Sequence, residues 1–126
     1  MAVITPSRTQ GATSGLSGTQ YQGFSSQVEA YAATSTPTLV AANGSDLHVC
    51  YAQITGAMTI NAVVSGLLQF QRVCFHFFSD ASIRVITFGT GFASSGTLST
   101  VASRDATVWA VYDGTQLKIT SREVAV

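Results

Sequence analysis

Two short patterns carry the side chains best able to do chemistry in this chain: His48-Val49-Cys50 and Cys74-Phe75-His76. In an extended strand, residues two apart point to the same side. His48 with Cys50, and Cys74 with His76, would then each offer two metal-binding groups to one face. If the two strands were neighbours, the four side chains would make a Cys2His2 set suited to tetrahedral zinc. The same residues have plainer uses. Cysteine is among the most buried residue types, and a histidine on an apolar face ordinarily hydrogen-bonds to a neighbour. The order His-x-Cys then Cys-x-His is also not one of the common zinc signatures. A Cys50–Cys74 disulfide is a third reading and needs Cα atoms within about 7 Å. In a reducing compartment the default is two buried free thiols. On this balance no metal and no cofactor is expected.

Other chemistry has less to stand on. Nucleophilic catalysis needs a base beside the nucleophile and a group that orients the base. The only two histidines sit inside strand-like runs, and Asp46 and Asp80 are each explained by turns. No Gly-x-Ser-x-Gly elbow is present. The chain is expected not to be an enzyme. Gly89-Thr90-Gly91 could cradle a phosphate only if a helix followed, and none is predicted, so it reads as a turn. Most aromatic residues alternate as core residues should. Trp109 stands apart, because polar Thr107 shares its face.

The elements that would position these groups are short strands. Leu47, Val49 and Tyr51 alternate with His48, Cys50 and Ala52. Val73, Phe75 and Phe77 alternate with Cys74, His76 and Phe78, and both faces of that run are largely apolar. Such a strand lies deep in a sheet or is sealed by a neighbouring subunit. Met58, Ile60 and Ala62 form another alternating set. Ile83–Phe88 and Ala106–Tyr112 continue the pattern, the latter with Val108, Ala110 and Tyr112 on one face. Gln27–Ala33 and Thr38–Ala42 are shorter runs, and Ser94–Ser99 is small and polar. Asn43-Gly44 and Asp113-Gly114 are turn signals, the second returning the chain into Leu117–Thr120. No segment has the capping and period of a helix. Regular turns between many short strands predict an all-β antiparallel sandwich or barrel. The absence of internal repeats argues against a solenoid.

Residues 1–25 differ from the rest. They are rich in Gly, Ser, Thr and Gln, with Arg8 as the only charge. Such a segment cannot bury enough apolar area to offset its ordering entropy, so it is expected to be a flexible arm ahead of a domain over 26–126. Val3, Ile4, Leu16, Tyr21 and Phe24 are its sparse anchors. Ile4, Arg8, Leu16, Tyr21 and Phe24 are the expected contact residues for a partner surface.

Charged residues are 10% of the 126 and the formal net charge is zero. Typical soluble domains carry about 25% charged residues and keep a net charge that holds them apart. The shortage points to surface that an assembly covers. Without a basic excess, electrostatic nucleic-acid binding is not expected. No apolar run approaches the roughly 20 residues of a membrane span, and no secretion signal opens the sequence.

The C-terminal half resembles a recurrent β-domain of tailed-phage virion proteins, including capsid decoration, head-fibre and tail-fibre proteins. The likeness rests on Val73–Asp80, on Arg84–Phe92 with its Phe-Gly-Thr loop, and on Val108–Thr115 with its Tyr-Asp-Gly-Thr turn. It spans about Leu47 to Ile119 and departs from the pattern after Asp80, where a Gly-rich segment is usual. It implies a jelly-roll β-sandwich, a homotrimer, and a place on the virion beside the major capsid protein or another virion protein. The expected function is capsid decoration and stabilisation, with a host-receptor or glycan-binding fibre module as the alternative.

Overall fold

The structure, a computed structural model, describes residues 24–40, 44–93 and 96–124. Alternation of apolar and polar residues builds nine strands there and no α-helix: β1 Phe24–Glu29, β2 Thr34–Ser35, β3 Asp46–Ile54, β4 Met58–Ile60, β5 Arg72–Ser79, β6 Val85–Phe88, β7 Gly96–Ser99, β8 Asp105–Tyr112 and β9 Leu117–Val124. They form two sheets, ordered β1-β3-β5-β8-β9 and β2-β4-β6-β7.

The all-β expectation holds, but the antiparallel jelly-roll pairing does not. β1, β3 and β5 are parallel to one another, as are β2, β4 and β6. Only β5–β8, β6–β7 and β8–β9 are antiparallel. The reason is the path of the chain. β1, β3 and β5 of the first sheet are each followed by a strand of the second, and after β2 and β4 the chain re-enters the first sheet in its original direction. That is the crossover a parallel pair requires. β1 to β6 thus wind coil upon coil, although their sequences do not repeat.

The two sheets meet through one core. Leu47, Val49 and Tyr51 of β3, Val73, Phe75 and Phe77 of β5, and Ala106, Val108 and Ala110 of β8 face Met58, Ile60, Ile86, Phe88 and Leu98 of the second sheet. Large and small residues alternate across the ladder: Phe77 lies opposite Ala106, and Val73 opposite Ala110. The space released takes aromatic rings, with Phe77 5.5 Å from Tyr51 and 6.4 Å from Phe88. Tyr51 spends its buried hydroxyl on Ser35 Oγ at 2.7 Å, which ties the sheets together.

The loops are fixed by particular contacts. Gly91 has φ +93, and a Cβ there would strike the Ala62 carbonyl oxygen, so the Phe-Gly-Thr-Gly-Phe loop needs its second glycine. Asp113 Oδ1 accepts from the amides of Thr115 and Gln116 and closes the β8–β9 hairpin. At the other end, Asp80 accepts from the Ser82 amide and from two nitrogens of Arg84, at 2.9 and 2.7 Å. The Arg84 guanidinium holds the Asp80 carboxyl below its ordinary range.

The two edges of the first sheet differ. β9 exposes Lys118, Arg122 and Glu123. β1 turns polar Ser25, Gln27 and Glu29 to the half-buried side and leaves Phe24 and Val28 outside, 48% and 76% exposed. Of the predicted contact residues, Phe24 opens β1, whereas Ile4, Arg8, Leu16 and Tyr21 lie outside the described residues.

Two outcomes test this packing. Phe77→Ala should cost about 3–5 kcal/mol, read as a fall in the urea midpoint at unchanged slope. A cost below 1 kcal/mol would contradict the shared core. Asp80→Asn should lower the melting temperature at neutral pH. The folded-state pKa of Asp80 is depressed, so its contribution is full above the ordinary value of about 3.8 and disappears as pH falls through the depressed one. Native and variant melting curves should therefore converge in acid. A gap of constant size at every pH would be inconsistent with the ion pair.

Candidate functional site

The chemistry-bearing residues lie on the outer face of the first sheet, away from the core. The parallel register of β3 and β5 places His48 opposite Cys74 and Cys50 opposite His76. Three cross-strand rows result. Phe24, Asp46, Arg72 and Val111 form the first, Ser26, His48, Cys74 and Trp109 the second, and Val28, Cys50, His76 and Thr107 the third. The two histidines occupy one diagonal of a two-by-two block and the two cysteines the other.

The diagonals behave differently because the side chains differ in length. The histidines reach across, and His48 Nδ1 stands 2.7 Å from His76 Nε2, with ring centroids 5.0 Å apart and planes 16° from parallel. In a neutral pair one of these nitrogens carries a proton and the other accepts it. The cysteines are too short to do the same. A two-residue offset across adjacent strands separates their Cα atoms by about 8 Å, beyond disulfide reach. Both thiols are free.

An aromatic and ionic rim encloses the block. Phe24 and Trp109 each meet His48 edge-on, at 5.4 and 5.6 Å. The Arg72 guanidinium lies 4.7 Å over the Trp109 ring and pairs with the Asp46 carboxylate. Under this cover Cys74 is fully buried on the face that a lone sheet would show to solvent. Of the two readings of the apolar run, a strand deep in a sheet or one sealed by a neighbouring subunit, the first describes β5, which lies at the centre of its sheet. Phe78, farther along the same face, stays 40% exposed.

Burial sets the ionisation of the block. It pushes the Cys74 thiol up to about 11, with Cys50 adding to the effect and Arg72 opposing it. Burial and then the neighbouring His48 lower the His76 pKa, against a smaller pull from Asp105. At neutral pH the metal-free block therefore holds a protonated Cys74 and a neutral His76. His48, Cys74 and His76 bring their donor atoms within 4.8 Å of one another. Solvent reaches this side through a shallow cleft of about 220 Å³ lined by Cys50, Ala52, His76, Phe78 and Asp105 among others.

The sequence pattern identified the four His and Cys residues; the structure makes their strands neighbours and brings His48, Cys74 and His76 together, but not Cys50. Arg72 and Phe24 were not identified as neighbours of the block. A signal for Arg72 existed: Asp46-x-His48-x-Cys50 and Arg72-x-Cys74-x-His76 each continue one strand face by a further two residues. Trp109 does leave the core, and its ring meets His48 beside its ladder partner Cys74. Two amides of the Gly89-Thr90-Gly91 loop are already engaged within the chain. Gly89 N donates to the Ile60 carbonyl and Thr90 N to the Asn61 side chain. The chain matches no protein family, no curated protein and no solved structure.

Proposed function

We propose that this chain is a structural assembly protein that covers part of its first sheet with another copy of itself, and in that form decorates and stabilises a phage capsid. The observation that carries the assembly reading is the inverted polarity of β1. A strand at the edge of a sheet ordinarily turns its apolar residues to the core and its polar residues to water. β1 does the opposite, with Phe24 and Val28 outside and Ser25, Gln27 and Glu29 inside. Two further exposed apolar residues lie at the end where β3 and β5 begin. These are Leu68, and Phe70 at φ 70, a backbone region that bulky side chains rarely enter. A second copy laid over such residues removes apolar area from water at about 25 cal/mol per Å² before ordering costs.

The phage capsid enters through the resemblance of the C-terminal half, which also suggests a closed trimer. The low charge of the chain agrees with a surface that other chains cover. Attachment to the capsid through residues ahead of Phe24 belongs to the same reading.

Mass photometry of the full chain should give a multiple of its mass, three-fold if the trimer is right. Val28→Asp should weaken association about tenfold or more while leaving circular dichroism unchanged, since burying a valine contributes about 1.5–3 kcal/mol. A native chain that stays monomeric at micromolar concentration would overturn the assembly reading. Binding to empty phage shells is expected. Binding to a host polysaccharide without affinity for shells would replace the capsid with a receptor.

A further inference from the structure

We infer that His48, Cys74 and His76 form a binding site for a zinc-like divalent cation on the outer face of the first sheet. The inference is independent of the assembly reading, because it rests on side chains within one copy.

Three features carry it. First, three donors of the type that borderline-soft cations prefer converge within 4.8 Å, two imidazole nitrogens and one sulfur. With metal–nitrogen distances near 2.0–2.1 Å and metal–sulfur near 2.3 Å, a tetrahedral shell separates its donors by about 3.3–3.6 Å. The two facing nitrogens, now 2.7 Å apart, would have to open by about half an ångström to reach that spacing. The most widely spaced donors, now within 4.8 Å, would have to close by about 1 Å, so binding asks for rotation of more than one side chain. Second, the donors come from two strands locked in register, with His48 directly opposite Cys74. The site is largely arranged before any ion arrives. Third, its surroundings suit a metal centre. Phe24 and Trp109 hold the His48 ring from either side. His76 also lines the cleft, so one of the three donor residues borders solvent-filled space.

Binding has a defined proton balance. The S–H bond of Cys74 breaks, a sulfur–metal bond forms, and one proton passes to solvent. The proton between the two histidines moves to the far nitrogen of its own ring and is not released. One proton per ion is therefore expected wherever both histidines are neutral. Cys50 lies across from His76 but outside the converging set, so it is not a ligand.

Cobalt(II) added to the full chain under reducing conditions tests the assignment. The expected result is a 1:1 complex with visible tetrahedral bands and a thiolate-to-cobalt charge-transfer band, displaced by zinc, with one proton released per ion. Cys74→Ser should abolish the charge-transfer band, and His76→Gln should weaken cobalt binding at least tenfold. Cys50→Ser should leave both unchanged. Circular dichroism identifies a variant that fails to fold. In that case protection of Cys74 from alkylation by zinc, followed in the native chain by peptide mass, replaces it. No cobalt spectrum at micromolar protein and metal would overturn the site. So would a charge-transfer band that survives Cys74→Ser or disappears in Cys50→Ser, or an alkylation rate at Cys74 that zinc does not change.

Discussion

The parallel ladder between β3 and β5 decides what each side of the first sheet becomes. A strand pair has two faces and one register, and a slip of a single residue would exchange them. In the register observed, Leu47, Val49 and Tyr51 meet Val73, Phe75 and Phe77 inside. That same register brings His48 to Cys74 and Cys50 to His76 outside. The core is the stronger constraint, since exposing three aromatic rings to save two histidine contacts would cost far more than it returned. The outer block is therefore held in place by packing on the opposite face. It needs no stabilising interaction of its own to stay assembled.

This division explains how a fully buried cysteine can sit on the solvent side of a sheet. Small residues on that face would have left it open. Here the second row carries rings, and His48 and Trp109 meet across the row in which Cys74 lies buried. Arg72 adds a flat guanidinium over Trp109 while its charge is met by Asp46. The result is a thin second layer, partly apolar, in which a thiol stays protonated and an imidazole stays neutral.

Much of the fold was legible strand by strand. The inward residues of β3, β5 and β8 follow directly from alternation, and Asp113-Gly114 marks its hairpin. What alternation does not encode is which strand lies beside which. Period two is the same for parallel and antiparallel neighbours, so the winding of β1 to β6 was invisible and the absence of a repeat pointed away from it. Coils of this kind need only an apolar face per strand, and the residues between may vary. β7 went unread because Gly96–Ser99 carries a single inward side chain, Leu98. β1 was misplaced toward Tyr31 because its own apolar residues face the wrong way. The His and Cys residues of the site were legible by type and spacing, but their meeting depended on a register that no local pattern contains.

The unequal edges of the first sheet bear on how far any association can run. Sheets that add strands at both sides grow without limit, and that is how ribbons and fibres arise. Here Lys118, Arg122 and Glu123 stand exposed along β9, and charged side chains at an edge discourage a further strand. The β1 side carries no such row and leaves Phe24 and Val28 outside. The two borders of this sheet are therefore not interchangeable: one sets ionic groups against an incoming strand, the other sets apolar ones.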